Sequence, residues 1–262
     1  MRNKLTDELA VCGLNAIRSL NEVHPEKVNR LFLREDRLPL FTGLCRHLAE
    51  RKRPYKLCEN EELEKICKTS HHQGIVAMIF EPKIKAASPE DIDAWAAEGK
   101  TGLLLCDVGN DHNLGAIVRA AAFFDAPLII LTESNEEEAK RLTTSAYRVA
   151  EGGMEYVEFR SIRSPAAFLR SVSKKLITIG TDPRARIRIR DIPYLEEVKQ
   201  KKTGAGHPGM ILVIGNEETG LPGEIREQCS IMARIPGTGA IESLNAAQAA
   251  ALFLQELYER FA

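Results

Sequence analysis

The apolar positions of the chain fall into short runs of two kinds, and the two kinds alternate. From Leu9 to Leu20 the spacing of apolar residues predicts a helix. VNRLFLRED predicts a strand, with Val28, Leu31 and Leu33 apolar and Asp36 closing it. PLFTGLCRHLAERK sets Leu40, Leu44 and Leu48 on one helical face, and Pro54 ends that helix. A short strand in YKLC, a helix in ENEELEKICKT and a strand of branched side chains in GIVAMIF follow. Alternating β and α segments make residues 1–82 a small α/β domain.

Residues 83–99, KIKAASPEDIDAWAAEG, change character: they are charged and alanine-rich, with Pro89. They predict a linker holding one helical turn around Trp95. Over 100–262 the strands become continuous apolar runs (TGLLLCDV, PLIILTE, KLITIGTD, GMILVIGNE), as expected of a parallel sheet buried on both faces. MEYVEF reads as another strand. Helices are predicted in LGAIVRAAAFFDA, in EEEAKRLTTSAYRVAEGG, which stops at Gly152 and Gly153, and in the final SLNAAQAAALFLQELYERF. The expected fold class is α/β, a C-terminal parallel-sheet domain behind the smaller N-terminal one.

Composition narrows this picture only slightly. The chain has 262 residues, 44% hydrophobic and 28% charged, ordinary for a globular protein with room for two cores. No apolar run approaches the ~18 residues that span a bilayer, and the first residues lack an apolar signal core, so no membrane and a cytoplasmic location are expected. Six cysteines are scattered without a C-x-x-C pair. They read as small buried hydrophobes in a reducing compartment, and no metal site is expected. The net charge of −1 announces no nucleic acid, but basic residues clump: Arg46, Arg51, Lys52, Arg53 and Lys56, then Arg184, Arg186, Arg188 and Arg190. An extended backbone would put the last four on one face. They read equally as a ridge that tracks phosphates or as an edge strand kept soluble by charge.

Two nucleotide motifs can be set aside. Gly99-Lys100-Thr101 has Ala94 where a P-loop needs glycine, and it precedes a strand. Gly237-Thr238-Gly239 lacks the third glycine of a dinucleotide loop. Three other segments carry more. In CDVGNDHNLGAIVRAAAFF a strand gives way to polar turn residues and a helix with Arg119 in its first turns. Taken alone, that arginine reads as one paired with a carboxylate at a domain edge. In ILVIGNEETGLP a buried strand ends at Gly215 before Asn216, Glu217, Glu218, Thr219 and Gly220, where an open α/β sheet places its ligand crevice; alone it reads as a polar turn. In ARIPGTGAIESLNAAQAAALF a strand ends at Ile235-Pro236, and Ser243 stands where it would cap the last helix.

In this order and spacing the three segments resemble the signature motifs of the SpoU (TrmH-like) family of RNA 2'-O-ribose methyltransferases, within the SPOUT superfamily. The family pattern N-x-G-A-x-x-R is matched by Asn113 to Arg119, G-x-E-x-x-G by Gly215 to Gly220, and I-P-(loop)-S-L-N by Ile235 to Asn245. The likeness covers the second domain and extends into the first, where CGLNAIRSL, HPEKVNRLFL and HHQGIVAMI resemble the family's substrate-binding domain. It implies a deep trefoil knot near the C-terminus, an exception to the rule against threading. It also implies S-adenosylmethionine as methyl donor, held by backbone at Gly215, Ile235 and Leu244 with Gly220 in the same loop. Transfer or ribosomal RNA would be the substrate, with no DNA, and a homodimer the expected assembly.

The resemblance gives catalytic roles to Arg119, Asn113, Glu217, Ser243 and Asn245, with Arg119 acting on the ribose hydroxyl and Glu217 fixing Arg119. Arginine almost never deprotonates, so orienting the hydroxyl and a phosphate is the role favoured over that of a base. The first domain is expected to hold RNA, which favours an RNA contact at Arg51 and Arg53; Arg186 and Arg188 keep both readings. Departures from the family pattern are Asn110-Asp111-His112, where a proline is common, the doubled Glu217-Glu218, and Ala246-Ala247-Gln248 after the third motif. Two rivals remain: an RNA-binding protein on the same fold without turnover, and a knotted methyltransferase that modifies a base nitrogen.

Overall fold

Two separate sheets order the chain, and the computed structural model describes residues 2–3, 7–133, 142–201 and 208–261 of it. The first sheet is built from β1 (Arg2–Asn3), β2 (Glu8–Cys12), β3 (Val28–Leu33), β4 (Tyr55–Leu57) and β5 (Ile75–Phe80), in the order β1-β2-β5-β3-β4. β5 lies antiparallel between β2 and β3, and only β3 and β4 run parallel. Its helices are α1 (Leu14–Val23), α2 (Thr42–Glu50) and α3 (Asn60–Cys67). One core cluster joins Ala10, Cys12, Leu63, Cys67, Val76 and Met78.

The helix expected from Leu9 is corrected here. Residues 8–12 are wholly buried in a central strand, and the helix begins only after Gly13. A short run of apolar residues buried on both sides carries no period that separates strand from helix. Leu44 and Leu48 are buried as expected, but Leu40 is exposed in a 3-10 turn, Glu35–Leu40, which contains Pro39.

The second sheet has eight strands, all parallel: β6 (Lys85–Ala86), β7 (Thr101–Leu105), β8 (Leu128–Thr132), β9 (Glu158–Ile162), β10 (Ile177–Thr181), β11 (Ile187–Arg188), β12 (Met210–Ile214) and β13 (Ile231–Arg234). They lie in the order β11-β13-β10-β12-β7-β8-β9-β6. The helices of this part of the chain are α4 (Pro89–Ala97), α5 (Asp111–Phe123), α6 (Thr144–Ala150), α7 (Pro165–Val172), α8 (Glu196–Gln200), α9 (Gly223–Arg226) and α10 (Ala246–Phe261). MEYVEF is split, with a 3-10 turn at Gly153–Tyr156 and β9 starting at Glu158. The first residues of the helix read in EEEAKRLTTSAYRVAEGG lie outside the described residues; from Thr144 the helix is present, capped by Thr143. Among the described residues no helix is long and apolar enough to cross a membrane.

The segment expected to be a linker is structured. Lys85 and Ala86 pair with β9, and α4 sends Ile92 and Trp95 into the core beside Leu104, Leu169 and Ile211. Ser88 and Asp91 close a capping box at its start, and Arg160 of β9 donates two hydrogen bonds to the Asp91 carboxylate. Those bonds hold Asp91 below the usual carboxylate range. With two large apolar residues among alanines and charges, α4 buries its stripe without advertising it in the sequence.

The chain divides into two compact units, and two later segments join the first of them. One holds residues 1–83 with 114–119 and 142–156; the other holds 84–113, 120–141 and 157–262. Within the first unit, α6 packs on β2 and α1. Gly115 of α5 sits so close to α6 that a Cβ there would stand 2.6 Å from the Ala146 carbonyl oxygen. Glu155, buried, is paired with Lys27 at 2.9 Å.

Candidate active site

Three of the motif residues join in one hydrogen-bonded relay inside the second unit. Asn245 Nδ2 donates to Asn113 Oδ1 at 3.0 Å, and Asn113 Nδ2 donates to the Glu217 carboxylate. The other Glu217 oxygen accepts the Gly109 amide at 3.4 Å. The direction of this relay is forced from its far end. Asn245 Oδ1 accepts the Ala247 amide at 2.9 Å and so caps α10, which leaves the Asn245 amino group to face Asn113. Asn113 must then present its oxygen to Asn245 and its amino group to Glu217, a carboxylate that only accepts when ionised. Asn113 is 8% exposed, and its own backbone N–H is held by the Asn110 side chain at 2.8 Å.

Two asparagines that the sequence did not single out shape the same region. Asn110 caps α5, so the helix begins at Asp111 and Arg119 lies in its third turn, deeper than expected. Asn216 donates to the Asp107 carbonyl at 3.0 Å and accepts the amides of Glu218 and Thr219 at 2.9 and 3.1 Å, folding the loop back on Gly220. The signal was available: an asparagine in the polar turn after a buried strand is a turn former whose side chain bonds the backbone two residues on.

A cleft of about 930 Å³ opens at the carboxyl ends of β10, β12 and β13. Gly215, Gly220, Ile235 and Leu244 line it, so the four positions expected to hold the methyl donor are brought together, with Glu217 and Ser243 beside them. Gly215 admits no side chain, because a Cβ would lie 2.6 Å from the Gly220 backbone. The residues fit the donor. The volume suits a ligand of that size, about 300–1,000 Å³ being usual. One buried polar atom on the lining residues, Arg234 Nε, has no hydrogen-bond partner among the described residues. Asp182, also on the lining, has its Oδ2 ion-paired with Arg226. A donor left open in the cleft matches a ligand that, like adenosine, offers acceptors. Another cavity, about 650 Å³, lies by β6 and β9 among Ser88, Ser161 and Ser164, and none of the candidate residues lines it.

Some expectations change at this scale. Ser243 is exposed on the cleft, and Asn245 rather than Ser243 caps α10. Arg119 pairs with Glu151 at 3.3 Å, so a carboxylate partner is present, but Glu217 is engaged with Asn113 and Gly109 instead. The Arg119 side chain is 59% exposed. Arg53 is tied into the fold, donating to the Glu26 and Val28 carbonyls at 2.6 Å each, while Arg51 is exposed against His47. Of the four alternating arginines only Arg188 lies in a strand, β11, at the sheet edge; all four are exposed, with Arg184 paired to Glu242 and Arg190 to Asp191. The backbone turns at Pro183–Arg184 and becomes 3-10 from Ile189, so one flat ridge is not formed.

Known proteins share both parts of this architecture. The family model described as SpoU rRNA Methylase matches residues 100–255, and that described as RNA 2'-O ribose methyltransferase substrate binding matches 10–85. A relative from Acinetobacter baylyi, named 23S rRNA (guanosine-2'-O-)-methyltransferase RlmB, is 30% identical over 254 residues, covering 93% of this chain and 94% of its own. The protein of the same name from Nitrosomonas europaea is 27% identical, covering 98% and 93%. The fold also matches an AdoMet-bound rRNA methyltransferase structure from Sinorhizobium meliloti, with a TM-score of 0.75 at 21% identity over 98% of this chain and 89% of that one. The chain belongs to the SpoU rRNA methylase family, and its first 85 residues include the substrate-binding module of RNA 2'-O-ribose methyltransferases.

Proposed function

We propose that the protein transfers a methyl group from S-adenosylmethionine to a ribose 2'-hydroxyl of ribosomal or transfer RNA. It acts as a cytoplasmic homodimer whose second sheet is closed by a deep trefoil knot. The relay from Asn245 through Asn113 to Glu217 carries the reading, because it unites residues from three distant motifs beside a cleft sized for the donor. Strand β12 inserts between β7 and β10 before the chain passes β10 again to form β13, an order that suits a knot. The two relatives named for a guanosine of 23S rRNA make ribosomal RNA the first substrate to test.

S-adenosylmethionine, when bound, supplies a methyl group on a sulfonium, with a neutral thioether as leaving group. Backbone at Gly215, Ile235 and Leu244 would hold its adenosine part. The chain's own task is to present a weak nucleophile, the ribose hydroxyl. Arg119 orients that hydroxyl and a neighbouring phosphate through its fixed fork of donors, since a group that keeps its proton cannot serve as base. Ser243 and the relay residues hold the hydrogen-bonding frame in which the hydroxyl is received.

Transfer of labelled methyl to unmodified ribosomal and transfer RNA, followed by nucleoside analysis, tests the reading beside Arg119→Ala. Label is expected in 2'-O-methylnucleosides of one RNA class and is lost in the variant. Label on a base nitrogen would establish the base-modifying rival. Binding of both donor and RNA without transfer would establish the binding-protein rival.

A further inference from the structure

Glu151 occupies a position that local physics disfavours for a glutamate. It ends α6 in the left-handed conformation, φ 44° and ψ 44°, where glycine or asparagine is usual. Its carboxylate also sits at a helix C-terminus, the negative end of the dipole. An exposed ion pair returns little stability for those two costs, and this one is exposed on both sides, Arg119 at 59% and Glu151 at 42%. The first unit also holds a pair whose carboxylate is buried, Glu155 with Lys27.

What Glu151 does have is two partners on one oxygen, one a hydrogen-bond donor and one an ion-pair cation. Its Oε2 lies 3.3 Å from Arg119 Nη2 and accepts Asn15 Nδ2 at 3.2 Å. Asn15 belongs to α1, within the 10–85 substrate-binding module. The close approach of Gly115 to Ala146 fixes the spacing of α5 on α6, so the residue that bears the guanidinium and the carboxylate that receives it stand on a rigid pair of helices.

We propose that Glu151 is the positioning residue for Arg119, and that Asn15 holds Glu151 in turn, so that the RNA-substrate module sets the direction in which the arginine is offered. Resting as it does on Arg119 acting on the ribose hydroxyl, the proposal treats Glu151 as acting only through that guanidinium. An arginine held by one carboxylate at its Nη2 edge keeps its remaining donors for hydroxyl and phosphate.

The test is a double-mutant cycle between Glu151→Gly and Arg119→Ala, read in three ways: methyl transfer at saturating RNA and donor, S-adenosylhomocysteine binding by calorimetry, and thermal unfolding. Glu151→Gly relieves the left-handed residue, so its melting temperature is expected to equal or exceed that of the parent while kcat falls about tenfold. S-adenosylhomocysteine affinity stays unchanged. In the Arg119→Ala background the same substitution should change the residual rate, read under single-turnover conditions with enzyme in excess, by less than about twofold, as coupled residues are non-additive. Glu151→Asp, which keeps the charge, should recover part of the loss. Asn15→Ala should lower kcat about threefold, and that loss should disappear in Glu151→Gly. A kcat for Glu151→Gly equal to the parent's, with Arg119→Ala inactive, would overturn the positioning role and leave the arginine's role standing. Equal losses from Glu151→Gly with and without Arg119 would overturn it too. Full activity in Arg119→Ala would remove the arginine's role and this proposal with it.

Discussion

Asn113 and Arg119 stand six residues apart on one helix, and the molecule treats them in opposite ways. Asn113 is 8% exposed and uses both ends of its amide within the protein, with its direction dictated by the cap on α10. Arg119 has a side chain 59% exposed, one carboxylate beside it and donors to spare. A polar group whose every bond is made in the folded protein is part of the scaffold, because losing one bond leaves a partner unsatisfied. A charged fork left open is built for something that arrives, and for RNA that something carries phosphates and hydroxyls. The contrast separates two kinds of motif residue that a sequence pattern writes with equal weight.

The largest effect should come from turning Asn113 into its own opposite. Asn113→Asp keeps the shape but exchanges the donor that serves Glu217 for a second carboxylate facing it. Stability is expected to fall by about 2–3 kcal/mol, through lost hydrogen bonds and like-charge repulsion. Methyl transfer should fall by more than about 100-fold, as a preorganised site loses its frame. Arg119→Ala should match the loss of activity while moving stability by no more than about 1 kcal/mol, because only an exposed pair is removed. Chemical denaturation beside product formation separates the two. A fully stable Asn113→Asp would end the distinction drawn between scaffold and open fork.

A smaller effect concerns the helix that carries both residues. Gly115→Ala would force a Cβ to 2.6 Å from the Ala146 carbonyl oxygen, and overpacking of that kind costs about 1–3 kcal/mol. Gly43, in α2, has nothing within 4 Å of its would-be Cβ, so Gly43→Ala should be neutral or stabilise by up to about 1 kcal/mol. Thermal unfolding of the two variants checks this. Equal melting temperatures would mean that α5 and α6 are less firmly set than their contact suggests, and Arg119 less firmly placed with them.

Much of this was legible in the residues, and the parts that were not have definite causes. The parallel strands announced themselves because runs such as GMILVI have no other home than a sheet covered on both faces. The cleft was legible because glycine and asparagine follow a strand end at Gly215 and Asn216, where ligands meet open α/β sheets. The strand at 8–12 was not, since five buried residues in a row carry no period. The helix at 89–97 hid behind alanines and charges, although Ser88, Pro89 and Asp91 spell a helix start. Glu217 and Glu151 show the deeper limit. Which of two glutamates pairs with Arg119 depends on how α6 returns to β2 and α1, a long-range contact that no local pattern encodes.

The smallest expected effect carries the comparison from Asn113 and Arg119 to the other arginines. Arg53 spends its guanidinium on the Glu26 and Val28 carbonyls, as a scaffold residue does, whereas Arg186 and Arg188 are exposed beside and within the edge strand β11. Phosphate contacts show themselves in salt dependence, because each neutralised phosphate releases counterions. If Arg186 and Arg188 track RNA, each alanine substitution should lower the slope of log affinity against log salt by about 1 and weaken RNA binding uniformly across sequences. Arg53→Ala should leave that slope unchanged and lower the melting temperature instead, since the Glu26 and Val28 carbonyls lose their donor. RNA binding titrated at several salt concentrations, with unfolding measured on the same samples, decides between them. An unchanged slope for the double variant Arg186→Glu, Arg188→Glu would leave the edge arginines with the other task open to them: keeping an unpaired strand from meeting another.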